Sequence, residues 1–95
     1  MFALLATVRA QEGQGEALEA AFEELARQVR ANEPGCQFYR LAKSRDEPDV
    51  YKFIEVYTDK SDFEQHGQTE YFKSGFPKLA ACFAARPTVE FLDVF

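Results

Sequence analysis

The stretch Tyr51–Phe76, YKFIEVYTDKSDFEQHGQTEYFKSGF, constrains this chain most, because its hydrophobic period changes within it from two to about 3.6 and it holds the only histidine. Tyr51, Phe53, Glu55 and Tyr57 fall on one face of an extended segment, and Val50, Lys52, Ile54, Val56 and Thr58 on the other. That alternation predicts a strand from Val50 to Thr58. Thr58–Ser61 then reverses the chain, with Asp59 or Ser61 placed to cap a helix that carries His66. Gly67, Gly75 and Pro77 interrupt the region from there to Ala85, so two helical pieces are expected, about Ser61 to His66 and about Glu70 to Ala84. In the second, Phe72, Phe76, Leu79 and Phe83 recur at steps of four, three and four, one helical face.

The rest of the chain reads as scaffold for this stretch. Phe2–Ala10 alternates with apolar residues on both faces, as a doubly buried strand does. After the Gly13/Gly15 turn, Leu18, Phe22, Leu25 and Val29 form one face of a helix from Glu16 to about Asn32. Its glutamates lie early and Arg27 and Arg30 late, in the sense the helix dipole favours. Asn32-Glu33-Pro34-Gly35 ends it. Cys36–Ser44 is expected to pair with Val50–Thr58 as a hairpin across the charged turn Arg45–Asp49, and Thr88–Phe95 alternates as a last strand.

The order βαββαβ in a single domain, residues 1–95, is most economically an α+β ferredoxin-like fold: a four-stranded antiparallel sheet with its helices on one face. The other face then has apolar residues with nothing to cover them, such as Ile54 with Val56 or Val8 with Ala6. A second copy packing sheet to sheet about a two-fold axis would cover it, so a homodimer is expected.

Composition excludes several classes of function. Ninety-five residues with 46% hydrophobic and 15% aromatic side chains are too apolar for a disordered chain. A net charge of −5 and a pI near 4.8 argue against nucleic acid and anionic membrane as partners, since both need a basic surface. The apolar N-terminus has no basic n-region and is interrupted by Thr7 and Arg9, so it reads as a strand and not as a leader. Cys36 and Cys82 have no metal-ligand spacing and are expected to be free thiols, which points to the cytoplasm. Asp46, Glu47 and Asp49 lack the regular spacing of a calcium loop and read as a solvated hairpin tip.

Glu55-Val56-Tyr57, the turn Asp59–Phe63 and the run E-Q-H-x-x-T-x-x-F from Glu64 to Phe72, with Pro34-Gly35-Cys36 before the second strand and Gly13–Glu16 before the first helix, resemble the antibiotic biosynthesis monooxygenase family over essentially the whole chain. The resemblance implies a dimeric α+β barrel whose protomers each hold a cavity between sheet and helices. It also implies oxidation of a quinol, anthrone or related phenol by molecular oxygen without metal, flavin or other cofactor. In such chemistry the deprotonated substrate reduces oxygen itself, and the protein supplies desolvation, orientation and proton removal. The positions matching the haem-degrading members hold Thr7, His66 and Phe76 where those members have asparagine, tryptophan and histidine, which disfavours haem degradation. The places of the anthrone oxygenases' asparagine and tryptophan are Phe53 and Tyr57, so only an aromatic is kept.

The candidate site residues form two groups. His66 is the candidate general base, with Glu55 as its orienting partner; the bland alternative is a histidine that tethers the short helix to the sheet, and a Glu55 that meets Arg40 or Arg9. Phe53, Tyr57, Phe63, Tyr71 and Phe76 are candidates to line a pocket for a flat aromatic substrate, against the ordinary role of such side chains as core. The hydroxyls of Tyr39 and Tyr71 could bond a substrate carbonyl, or equally water. Two other functions stay open: a non-catalytic small-molecule-binding or structural dimer, and an isomerase of a small keto compound.

Overall fold

The computed structural model describes residues 1–95 and builds its sheet from four antiparallel strands. These are β1 (Phe2–Arg9), β2 (Cys36–Lys43), β3 (Val50–Tyr57) and β4 (Thr88–Asp93), in the order β2-β3-β1-β4. One helix, α1 (Gly15–Asn32), joins β1 to β2; two, α2 (Lys60–His66) and α3 (Glu70–Ala80), join β3 to β4. The chain is therefore βαββααβ, with the second connection split at Gly67–Thr69 as the glycine there suggests. α3 stops at Ala80 rather than running on to Ala84. Phe83 leaves the helix and makes an isolated antiparallel bridge to Ala10, and Ala84 N–H donates to the Arg9 carbonyl at 2.7 Å.

The register decides which residues meet. β1 sets Val8 opposite Tyr51, Ala6 opposite Phe53, Leu4 opposite Glu55 and Phe2 opposite Tyr57. These positions face the helices. There Ala6, Val8, Tyr51 and Phe53 join Leu18, Phe22, Leu25, Ala26 and Val29 of α1 and Leu79 of α3 in the core, with Leu4 packed against it. Each large apolar side chain among them contributes about 1.5–3 kcal/mol by leaving water. Tyr51 is anchored by donating to Glu19 of α1 at 2.6 Å, and its own acidity is weakened by burial to a pKa of about 12. Gly75 lets α3 approach α1: a Cβ there would stand 3.0 Å from Leu25 Cδ2.

The opposite face of the sheet is uncovered. Ile54 and Val56 lie on it as expected, but Ala6 and Val8 do not: they are core residues, at 3% and 1% exposure, because the register with β3 turns them toward the helices. Their places are taken by Ala3 and Leu5 of β1, Leu92 of β4 and Phe38 of β2. Phe38 reaches that face through a bulge. Cys36 pairs with Tyr57 and Phe38 with Val56, so strict alternation fails at Gln37 and Cys36 and Phe38 point to opposite sides.

Candidate active site

Three helix ends converge on His66. It closes α2, whose first turn is capped by Asp59 accepting from the Asp62 N–H at 3.1 Å, while Ser61 donates to the same carboxylate at 2.5 Å. Thr69 caps α3 by accepting from the Phe72 N–H and also donates to the His66 carbonyl at 2.8 Å, so one residue ties the two helices together. α1 ends at Glu33, whose side chain reaches across: His66 Nδ1 lies 3.1 and 3.0 Å from its two carboxylate oxygens. The ring is 3% exposed and packs against Phe72, Tyr39 and Tyr57, with centroids 4.7, 5.4 and 5.9 Å away.

Between the sheet and α2–α3 is a cavity of about 200 Å³. Its walls are Leu4, Ala6, Phe53, Phe63, Phe72, Phe76, Leu79, Phe83, Pro87 and Val89, and its polar groups come from Tyr39, Glu55 and His66 alone. Tyr57 donates to Glu55 Oε1 at 2.7 Å inside the core, which leaves Oε2 without a bond from the protein. The Tyr39 hydroxyl and His66 Nε2 likewise bond to no protein group. No side-chain nitrogen or oxygen is both sealed from solvent and unpartnered, so all three atoms open onto accessible space. Burial raises the pKa of Glu55, against the lowering effects of the Tyr57 bond and nearby His66; burial, then the charges of Glu55 and Glu33, raises that of Tyr39. Both side chains are thereby held toward their protonated, hydrogen-bond-donating forms. No three histidine, cysteine, aspartate or glutamate side chains gather as metal ligands would.

The sequence-derived candidates divide into two sets. His66, Glu55, Phe53, Phe63 and Phe76 share the cavity. Tyr57 and Tyr71 do not line it. Tyr57 is fully buried behind Glu55, and the Tyr71 hydroxyl donates to Glu33 on the far side of His66. Glu55 meets Tyr57 and neither Arg9, which pairs with Glu47 at 3.5 Å, nor Arg40, which lies over Phe38. The histidine's carboxylate partner through Nδ1 is Glu33. Its signal in the sequence was its place at the end of α1, and only the fold brings that end to α2. Phe72 and Phe83, which follow a core-like stripe, are cavity walls as well.

Beside the cavity, on the Glu33 side of the ring, a polar cleft is lined by Asn32, Glu33, Cys36, Asp62, Gln65, Thr69 and Tyr71 among others. The Cys36 thiol bordering it is pushed up to about 11, first by burial and then by the charge of Glu33, so it is a poor nucleophile. Both cysteines are free.

A split-helix α+β sheet thus gathers a histidine, a buried acid and a phenol around an aromatic-walled cavity, the candidate site for a small molecule. The chain belongs to the antibiotic biosynthesis monooxygenase family, whose model matches residues 1–78. A crystal structure from Caulobacter crescentus, provisionally ascribed to the same family, superposes with a TM-score of 0.94 at 36% identity, covering 99% of this chain and 89% of that one. A protein from Shewanella oneidensis is 31% identical with a TM-score of 0.84, over 96% and 87% of the two chains. A crystal structure described as an antibiotic biosynthesis monooxygenase gives 0.88 at 25% identity over 100% and 99%. No curated protein matches. No helix is long and apolar enough to cross a membrane.

Proposed function

We propose that this protein is a cofactor-independent monooxygenase that oxidises a one- or two-ring hydroquinol or related phenol with molecular oxygen, working as a homodimer in the cytoplasm. The observation that carries this is the cavity itself, where the side chains of His66, Glu55 and Tyr39 are the only polar members of otherwise apolar walls. His66 takes the phenolic proton at Nε2. Glu55 and Tyr39 donate to the oxygen on which negative charge then gathers. The anion gives electrons to oxygen, a ring carbon bonds one oxygen atom, and the other leaves with two hydrogens as water; a phenol plus O2 becomes a quinone plus H2O. Dry aromatic walls keep the anion from bulk water during these steps.

Size and charge narrow the substrate. A cavity of about 200 Å³ is only somewhat larger than the ~150 Å³ engineered cavity that holds benzene, which favours one or two rings over a three-ring anthrone. No lysine or arginine lines it, so a carboxylated or phosphorylated substrate would be desolvated without a counter-charge. Phe53, Phe72 and Phe76 form walls instead of filling the space, which weighs against a purely structural dimer. An isomerase of a small keto compound would use the same acid and base, but would consume no oxygen.

The test is oxygen uptake by the purified, chelator-treated protein with hydroquinols of one, two and three rings. Uptake is expected with the smaller ones and is expected to fall at least about 100-fold in His66→Ala, the scale of a lost general base. Wild-type protein that consumes no oxygen with any of them contradicts the reading.

A further inference from the structure

Resting on that reading, the geometry points to a positioning pair outside the cavity: Glu33, oriented by Tyr71, holds the single histidine as the Nδ1–H tautomer, so that the Nε2 lone pair faces the substrate. Which ring nitrogen of a histidine carries the proton is set by the bond the other makes. Here that bond is to a carboxylate. Both Glu33 oxygens lie within hydrogen-bond distance of Nδ1, at 3.1 and 3.0 Å, and an ionised carboxylate can only accept. Nδ1 must then donate, and Nε2 is left as an acceptor on the cavity side.

Tyr71 reinforces the arrangement from a third element. Its hydroxyl donates to Glu33 Oε2 from the first turn of α3, so the carboxylate is gripped by groups from α2 and α3 while its backbone terminates α1. The Glu33 side chain is 12% exposed at the polar cleft, and His66 borders both that cleft and the apolar cavity. The ring is thus a partition: its orienting group is on the wet side and its working nitrogen on the dry side.

Because this is the only histidine, ¹⁵N labelling of histidine gives a tautomer spectrum that needs no assignment. In the wild type at neutral pH the proton is expected on Nδ1, with Nε2 unprotonated. Glu33→Gln keeps the shape but offers an amide that can donate, so the Nε2–H form should appear, and kcat should drop about 100-fold or more with KM nearly unchanged. Tyr71→Phe should move the same signals less, and Glu33→Asp should retain the Nδ1–H form. A wild-type ring protonated on Nε2, or on both nitrogens, overturns the inference, as does a Glu33→Gln protein, folded by circular dichroism, with an unchanged tautomer. The spectrum is read without turnover, so it decides this point even if no oxygen is consumed.

Discussion

At Glu55 stability and chemistry oppose each other. The side chain is 6% exposed, and burial raises its pKa above the usual 4.5. The folded chain therefore keeps a proton that the unfolded chain releases near pH 4.5. Between that pH and the folded value the native state binds more protons, so stability falls as pH rises through this window and stays lowered above it. Glutamine can accept the Tyr57 hydrogen bond and has no proton to lose. Glu55→Gln should thus melt higher than wild type, with a gap that is small near pH 4.5 and widens toward pH 8; a gap that is constant or narrows would contradict the assignment. The same variant should oxidise substrate more slowly if the acid form donates to the substrate oxygen.

Among the elements, the short α2 and the first turn of α3 set the site, and Thr69 joins them. Thr69→Ala removes the cap on the Phe72 N–H and should cost about 1 kcal/mol in denaturant unfolding. It should also lower activity more than that loss alone predicts, because His66 loses the bond to its carbonyl. A variant as stable and active as wild type would show that α3 holds itself in place. The strands and helices were legible from period, caps and breakers, and so was the break between α2 and α3, because Gly67 acts locally; the Thr69 cap that completes it was not read, and Gly75 and Pro77, read as breakers too, lie inside α3. Their partnerships were less so. Ala6 and Val8 looked as free to face outward as Ile54, since β1 is apolar on both faces and only pairing with β3 distinguishes them. Tyr57 alternates with cavity residues, yet its hydroxyl turns inward to Glu55. Glu33 meets His66 from 33 residues away, a separation over which no periodicity speaks.

For the whole molecule, the outer sheet face carries Phe38 and Leu92 at 44% and 41% exposure, beside Leu5, Ile54 and Val56. Contiguous apolar surface of this kind is unusual on a monomer. Ile54→Lys combined with Phe38→Lys should convert a dimer into a monomer in sedimentation, since two like-charged patches would face each other across a two-fold axis. A wild-type protein that sediments as a monomer would remove the homodimer from the proposed function and leave the cavity in place. The reaction itself is tested most directly by turnover under ¹⁸O2 with a one- or two-ring hydroquinol and chelator present. One labelled oxygen atom in the product, and a rate that collapses in His66→Ala, is the predicted result. A product without label from O2, formed with or without oxygen uptake, would contradict it.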